Sequence, residues 1–451
     1  MMKQEYRNAV DRIVLTDAEK TKLYHQVRRA ANREPKSRKG KLTLIAAAAL
    51  SLILVFAVTI NSIPVAAAIA RPAYPSADET AVSVSDGAYL EALRRFSYDT
   101  AGKIDRGADG NTVYSPYGMS VILSILAECT AGGTQDEILS VFQMDSAAQL
   151  SAETASLYQT LYRDSENDFC RAIQSVWIDS SVSYHESVLN TLAQNEYAHS
   201  FSMPFENGRA ASAVSDWFAD NMRSKRRISV PFVPENKLMF ASGFEFRSEW
   251  KETFVREQTY EGVFSGTMVT DECTYMNKVA AAVPYLQTEE ATASLIGLAN
   301  GGSLVLILPQ EGTGLNGILS DGTLLQNIVS GTLRASKTSV EFSVPKVSFE
   351  ETIDISSLFR QMGVVSVFDE TKADFSALSS DQNVFAGQIA ENVSMDLNEN
   401  GETPAGAQAY GSSSGAMHSL TLDRPFCFVV VSENEIPLMI GAVENVMQLA
   451  E

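Results

Sequence analysis

The chain has 451 residues, of which 45% are hydrophobic and 20% are charged, so a sizeable core is expected and global disorder is excluded. The formal net charge is −20 and it is unevenly spread. Residues 1–41 hold 12 Lys/Arg against 5 Asp/Glu, which leaves 23 against 50 for the remainder. An acidic body argues against nucleic-acid binding, which needs a basic face, and we expect no nucleic-acid partner.

An uncharged apolar run follows the basic N-terminal segment. Its core, LTLIAAAALSLILVFAVTI at residues 42–60, is 19 residues long, and about 20 are needed to cross a bilayer. Lys and Arg crowd its N-terminal side, so the positive-inside rule places residues 1–41 in the cytoplasm and the rest outside the cell. The pattern predicts one transmembrane helix that acts as a signal anchor in the cell membrane.

A cleaved signal peptide is the alternative interpretation of this region. Ala68-Ile69-Ala70 fits a small-residue cleavage site, and cleavage near Ala70 would give a secreted protein. The basic lead is long and the apolar run exceeds a usual signal sequence, which favours the uncleaved anchor. Residues 61–87, rich in Pro, Ser and Asp towards their end, are predicted to be a linker to a folded domain at 88–451.

In that domain, segments with helical or strand periodicity are separated by residues that interrupt secondary structure. An amphipathic helix is predicted over residues 88–104, and a short strand that ends at Ser115 precedes a second helix. Ser115 can cap this second helix and Pro116 suits its first position. Thr134 and Glu137 are spaced as a capping box for the next helix. Apolar or alternating runs then predict strands, mostly in the second half, and the LVLILP run is predicted to be fully buried. This order favours an α+β fold with large, mostly antiparallel sheets.

Residues of the types that most often bind zinc, Cys and His, are few. The four cysteines are far apart, without metal-ligand spacing, and we interpret them as buried free thiols: Cys129, Cys170, Cys273 and Cys427. The sequence contains no H-E-x-x-H, Walker or dinucleotide glycine motif, so no metal or cofactor is expected.

A long polar stretch, NENGETPAGAQAYGSSSGAMHSLTLDRPF, begins at residue 398. Residues 411–415 fit the G-x-S-x-G pattern of a hydrolase nucleophile. However, His418 precedes Asp423, both follow closely, and no helical pattern comes after the motif, so a hydrolase is disfavoured. Long segments without secondary structure are usually functional, and we interpret this one as an exposed loop.

Five segments in order resemble the serpin family of serine protease inhibitors, of the prokaryotic type, over about 88–447. The segments are NTVYSPYGMSVILSILAECTAGGTQDEIL, ASGFEFRSEWKETF with Trp250, SLVLILP, VPKVSFEETIDISSLFRQMGVVSVFDETKADFSAL and DRPFCFVVVSENEIPLMIGAV. The resemblance implies the serpin fold, in which the polar stretch is the reactive-centre loop. A protease would cut this loop as a suicide substrate, and the cut loop would insert as a new strand into the central sheet, trapping the acyl-enzyme.

The loop must present small side chains towards the core if it is to insert. The family hinge corresponds here to the segment that starts at Glu399 and Gly401. In a gap-free register, the inward-facing residues are Glu402, Pro404, Gly406 and Gln408. With Glu402 treated as an insertion, they become Thr403, Ala405, Ala407 and Ala409, because a one-residue slip exchanges the two faces of a strand. We favour the second register, although Pro404 lacks the N–H that a central strand requires.

The family spacing gives several candidates for the bond that is cut. Counting from the hinge and back from Pro425 places it at Gly415 or Ser414, the shifted register places it at Ala416, and Met417 is a further candidate. These side chains are mostly small and no Lys or Arg lies between Lys372 and Arg424. The expected target is an elastase- or subtilisin-like serine protease, with a cysteine protease as a second option.

Residues at the place where the family's sheet opens also depart from its pattern. The corresponding positions include Ser115 and Pro116, but hold Gly118, Ser242 and Glu391 where the resemblance implies a Ser, an Asn and a His. Trp250 is retained. Two hypotheses remain open. The first is a membrane-tethered monomeric inhibitor, and the second is a non-inhibitory binding module or a simple protease substrate.

Overall fold

The computed structural model describes residues 66–75, 87–107, 110–205, 209–230, 232–233, 235–399 and 418–446. The basic segment, the predicted span at 42–60 and the loop residues 400–417 lie outside them. No helix in the described ranges has the length and apolar character needed to cross a membrane.

The described chain contains nine helices and sixteen strands in an α+β arrangement. The helices are α1 (Gly87–Thr100), α2 (Pro116–Cys129), α3 (Gly132–Phe142), α4 (Ala147–Leu161), α5 (Glu186–Asn195), α6 (Arg209–Asn221), α7 (Gly314–Leu319), α8 (Gly322–Arg334) and α9 (Ser356–Gln361). The strands are β1 (Ala67–Ala70), β2 (Thr112–Tyr114), β3 (Arg163–Asp164), β4 (Phe169–Asp179), β5 (Ala198–Met203), β6 (Leu238–Arg247), β7 (Tyr260–Ser265), β8 (Thr270–Gln287), β9 (Ala291–Gly297), β10 (Ser303–Pro309), β11 (Lys337–Pro345), β12 (Val347–Asp354), β13 (Ala386–Leu397), β14 (His418–Thr421), β15 (Phe426–Val431) and β16 (Pro437–Val443).

The strands form two large sheets. A seven-stranded sheet has the order β1-β5-β4-β6-β13-β12, with β3 beside β4. A nine-stranded sheet has the order β14-β11-β8-β9-β10-β15-β16-β2, with β7 beside β8. Most pairings are antiparallel, as predicted, while β4 with β5, β6 with β13 and β11 with β14 are parallel. The LVLILP run is β10, and it is buried along almost its whole length.

Two hydrophobic clusters cover the two faces of the seven-stranded sheet. The larger one fills the space between the sheets and the helices α1 to α5. The smaller one lies under α6, where Trp217 and Phe218 pack on β4 and β6. Gly243 of β6 permits this contact, because a Cβ there would lie 3.2 Å from the Phe218 ring. The centre of the sheet is thus covered by α6 on one face and by α2 on the other.

The start of α2 matches the sequence prediction. Ser115 is its N-cap and accepts a hydrogen bond from the Gly118 N–H, with Pro116 at the first position. The prediction of a capping box at Thr134 and Glu137 is wrong. Helix α3 begins at Gly132, and Glu137 instead accepts hydrogen bonds from Val365 and Ser366. A tertiary contact has replaced the local one.

Residues 66–75, which the sequence analysis places in the linker, pack on the domain. Strand β1 pairs antiparallel with the edge strand β5. Tyr74 then stacks on Tyr162 and Tyr197, with ring centroids 5.7 and 6.2 Å away. A small, alanine-rich segment forms a strand here because an unpaired sheet edge supplies its hydrogen-bond partners.

Candidate functional site: the sheet seam and the loop hinge

The loop connects the two sheets. Strand β13 ends at Leu397 in the seven-stranded sheet, and the chain returns at His418 as β14 in the nine-stranded sheet. Strand β14 runs parallel to β11, and the His418 ring stacks on Tyr285 with centroids 4.3 Å apart. Each end of the loop is therefore fixed to a different sheet. The candidate cleavage residues, 414–417, and the hinge residues from 401 to 409 lie outside the described part.

Strands β6 and β13 pair directly with each other in the middle of the seven-stranded sheet. The pairing, which we refer to as the seam, runs from Leu238↔Ala386 to Glu245↔Ser394 and is parallel. Both strands continue beyond it, to Arg247 and Leu397, without pairing further with each other, although each stays paired with its outer neighbour, β4 or β12. The seam is closed along its length and ends just before the loop begins. A chain that folded back from β13 into the seam would run antiparallel to both neighbours.

The described start of the hinge, Asn398 and Glu399, is held in place by three side chains. The Trp250 indole N–H donates to the Asn398 carbonyl at 3.0 Å. The Glu399 carboxylate accepts from Thr259 Oγ1 at 2.6 Å and pairs with Lys346 Nζ at 2.7 Å. Burial opposes the charge on Glu399, but the bonds from Lys346 and Thr259 outweigh it and lower the pKa of this carboxyl. The carboxylate is thus charged and held at neutral pH.

A buried polar cluster lies beneath the seam, formed by four of the residues singled out in the sequence. Glu391 of β13 is opposite Ser242 of β6, and both are fully buried. The Ser115 backbone N–H donates to Glu391 Oε2 at 3.0 Å, while the Ser115 hydroxyl donates to the Leu438 carbonyl at 2.7 Å. Gly118 leaves the space that the carboxyl occupies, because a Cβ there would lie 2.7 Å from Glu391 Oε1.

The Glu391 carboxyl is protonated at neutral pH. Burial raises its pKa to about 8, against the lowering effect of the Ser115 N–H and the nearby Ser242 hydroxyl. Glu391 Oε1 and Ser242 Oγ both lack a hydrogen-bond partner of good geometry. The Ser242 hydroxyl is therefore close to the carboxyl but poorly aligned for a hydrogen bond. An ionised Glu391 would be a buried, incompletely paired charge, which is costly.

Trp250 does not belong to this cluster. It lies at the open end of the seam, where it bridges to Leu298 and meets Phe254 edge-on at 5.5 Å. The sequence-predicted residues therefore divide between two places, the polar cluster and the hinge. Sequence reasoning missed Thr259 and the role of Lys346. Lys346 stands in the quoted Pro-Lys segment, but nothing local to it indicates a partner more than fifty residues away.

Two charged contacts attach the chain after α6 to both sides of the seam. On the β6 side, Glu245 accepts from the Arg223 backbone N–H and pairs with Arg171 at 3.2 Å. On the far side, Arg226 Nη1 lies 2.6 Å from Glu350 Oε2 of β12. Because β13 lies between β6 and β12, the Arg226–Glu350 pair crosses the seam. Sequence analysis did not identify these contacts.

The described cysteines and acidic groups show no sign of metal chemistry. All four cysteines are buried and free, as predicted. Burial raises the pKa of Cys170 and of Cys427 to about 12, which makes both thiols poor nucleophiles. Within the described ranges, no group of three or more His, Cys, Asp or Glu could hold a metal ion.

Comparisons with known proteins agree with this architecture. The model of the family described as Serpin (serine protease inhibitor) matches residues 91–446. The leukocyte elastase inhibitor of Equus caballus is 23% identical over 339 residues, covering 71% of this chain and 89% of that protein. The family model and this relative are named for protease inhibition and not for an enzymatic activity, which confirms the expectation that the chain is not a hydrolase.

Two solved structures share the fold. The thermophilic serpin tengpin in its native state has a TM-score of 0.74 at 19% identity, covering 84% of this chain and all of that one. Human thyroxine-binding globulin has a TM-score of 0.70 at 18% identity, covering 80% of this chain and all of that one. At these identities the structural likeness concerns the fold alone.

Proposed function

Because this chain belongs to the serpin family, we propose that it inhibits a serine protease through cleavage of residues 400–417 and their entry into the seam. The observation that carries the proposal is the closed parallel seam immediately before the loop. A strand inserted there would gain two hydrogen-bonded neighbours in place of none, which supplies the driving force. The contacts that hold the start of the hinge would prevent insertion until the loop is cut.

The proposed target is an elastase- or subtilisin-like protease. The candidate residues for the cut, Ser414, Gly415 and Ala416, fit a small or undemanding specificity pocket, and Met417 also lacks charge. A relative named as an elastase inhibitor supports the same preference. A cysteine protease is the second class to test.

The alternative is a serpin fold without loop insertion, and two residues of the loop sequence favour it. Pro404 has no N–H to give to a central strand, and Glu402 would face the core in the gap-free register. Human thyroxine-binding globulin, named for binding a small molecule, has a similar fold. In this alternative the chain is a binding module, or is cut without trapping the protease.

We further propose a single-pass anchor through residues 42–60, with the domain on the extracellular side and monomeric. The length and lack of charge of that run, and the basic residues before it, support this placement. Secretion after cleavage near Ala70 is the competing proposal. N-terminal sequencing of the mature protein distinguishes the two, since a chain that starts after Ala70 would also lack β1.

The direct test is to mix residues 66–451 with elastase and with subtilisin and to look for complexes that survive boiling in detergent. An inhibitor gives such complexes, whereas a substrate gives only clean cleavage. Pro404→Ala should increase the yield of complexes if Pro404 hinders insertion. Sequencing of the released C-terminal fragment identifies the bond among 414–417.

Two matched variants test the register of the inserted strand. In the favoured register Ala407 faces the core and Gly406 faces outward, and in the other register they exchange places. Ala407→Glu should therefore abolish complexes while Gly406→Glu retains them. The reverse pattern would replace the favoured register by the gap-free one.

A further inference from the structure

Two segments that are far apart in the sequence are joined just before helix α5. They are residues 183–185 and 377–381, and we refer to them together as the α5 clip. The backbone N–H of His185, the N-cap residue of α5, donates to the Leu378 carbonyl at 2.8 Å. The Leu378 N–H in turn donates to the Cys129 carbonyl at the end of α2, at 3.2 Å. The clip is therefore fixed to two helices.

The His185 ring lies between a carbonyl and a serine hydroxyl of the α5 clip. Its Nδ1 is 2.8 Å from the Ala377 carbonyl oxygen, and its Nε2 is 3.0 Å from Ser380 Oγ. A carbonyl oxygen accepts hydrogen bonds and cannot donate them. In the neutral imidazole, Nδ1 therefore carries the proton and Nε2 accepts from the Ser380 hydroxyl. His185 is partly buried and Ser380 is exposed, so an accessible serine is hydrogen-bonded to a basic nitrogen.

This arrangement is the one that activates a serine as a nucleophile. The serine needs a base within hydrogen-bond reach, and the base needs a third group that fixes its tautomer and its orientation. His185 is the base here, and the Ala377 carbonyl is the third group, in the place that a carboxylate takes in a Ser-His-Asp triad. Helix α5 begins directly after His185, and the positive end of its dipole favours the negative charge that develops during attack.

We propose that Ser380 is a covalent modification site that takes the acyl group of an aryl ester. Ser380 Oγ forms a bond to the ester carbonyl carbon, and the bond from that carbon to the aryl oxygen breaks. The Ser380 proton goes to His185 Nε2 and from there to the departing aryloxide. The serine alkoxide is a poorer leaving group than an aryloxide, so the acyl group stays on Ser380. The chain is thus modified once and does not turn over the ester, and this site does not depend on loop insertion.

The test treats the full chain with p-nitrophenyl acetate and, separately, with a fluorophosphonate. The first probe should release nitrophenol in a burst that stops once the serine is acylated. The second probe should form a bond between Ser380 Oγ and phosphorus as the phosphorus–fluorine bond breaks. Mass spectrometry of the digested chain should place the acetyl and phosphonyl groups on Ser380. Absence of label on Ser380 overturns the site, and so does label that appears on residues 411–415 in its place.

The native chain contains a matched serine for comparison. Ser376 is exposed, lies just before the α5 clip, and accepts through its backbone no part of the His185 contacts, since its N–H donates to Asp374. Ser380 should be labelled roughly 100-fold faster than Ser376, which is the lower end of what a positioned general base contributes. Equal labelling of the two serines overturns the activation of Ser380, and this comparison needs no variant.

Two variants separate the base from the structure that holds it. His185→Gln removes the base and should slow labelling of Ser380 by roughly 100-fold. Asp381→Ala removes another bond of the α5 clip, the one from the Ser183 N–H to the Asp381 carboxylate at 2.6 Å, and should slow labelling far less. Circular dichroism checks that both variants fold. Unchanged labelling in His185→Gln, or equal slowing in the two variants, overturns the role of His185 as the base.

Discussion

At the scale of single residues, the buried carboxyl of Glu391 should make stability depend on pH. Its pKa is about 8 in the fold against 4.5 for the ordinary group, so the folded state binds a proton that the unfolded state releases between these values. The stabilisation is complete below pH 4.5 and is lost as pH rises through 8. The expected loss is on the order of a few kcal/mol, since one pKa unit corresponds to about 1.4 kcal/mol.

Glu391→Gln should reduce the pH dependence of stability between pH 6 and 8 in urea unfolding, because the amide mimics the protonated acid, while the part that comes from Glu196 remains. At pH 8, where Glu391 of the native chain is partly ionised beneath the seam, the variant should also slow peptide annealing, the rate at which a synthetic peptide of residues 401–414 enters the intact protein in native electrophoresis. Glu196→Gln is the matched control. Burial also raises the pKa of Glu196 to about 8, but this residue accepts from Ser124 Oγ, away from the seam. Equal effects of both variants on annealing would contradict a special role for Glu391.

At the scale of elements, β1 and Tyr74 should contribute to the stability of the domain. The Tyr74 ring stacks on two tyrosines and lies 6.2 Å from the His199 ring. Burial and the nearby Arg71 charge lower the pKa of His199 to about 4, so this histidine is neutral at physiological pH. Tyr74→Ala should cost roughly 1–3 kcal/mol in urea unfolding, from lost area and stacking.

Tyr260→Ala is the matched control for Tyr74, because Tyr260 also stacks on a tyrosine, Tyr275 at 5.5 Å, but is 42% exposed. It should cost less than Tyr74→Ala. If Tyr74→Ala leaves the unfolding midpoint unchanged, residues 66–75 do not add to the domain's stability.

The Arg226–Glu350 pair should restrain the seam more than it stabilises the fold. Arg226 is 72% exposed, so the pair is worth at most about 1 kcal/mol in the free energy of unfolding. Because the pair crosses the seam, Arg226→Gln should still accelerate peptide annealing. Arg227→Gln is the matched control, since Arg227 is 75% exposed and pairs with Asp216 on α6 instead. Equal annealing rates for the two variants would refute the restraint.

At the scale of the whole molecule, local patterns predicted the elements better than the contacts between them. The cap at Ser115, the buried β10 and the α+β class follow from periodicity and turn residues, and the structure confirms them. The capping box at Thr134 failed because distant residues supply stronger partners for Glu137. Strand β1 was missed because Ala67–Ala70 carries no strand pattern of its own and depends on the free edge of β5.

In the candidate site, too, the sequence predicted residues better than it predicted the long-range contacts between them. Ser115, Gly118, Ser242 and Glu391 were identified together through the family resemblance, and the structure brings them into contact. The hinge bonds from Thr259 and Lys346 could not be predicted, because each joins segments far apart in the sequence. Long-range contacts of this kind depend on the packed fold and not on spacing along the chain.

The most direct measurement is a thermal unfolding scan of the domain before and after the loop is cut by elastase or subtilisin. Insertion adds a paired central strand, so the cut form should melt at least about 10 °C higher, given that each kcal/mol is worth roughly 2–4 °C in domains of a few hundred residues. A cut form that melts at the same temperature as the intact one would show that the loop does not enter the seam.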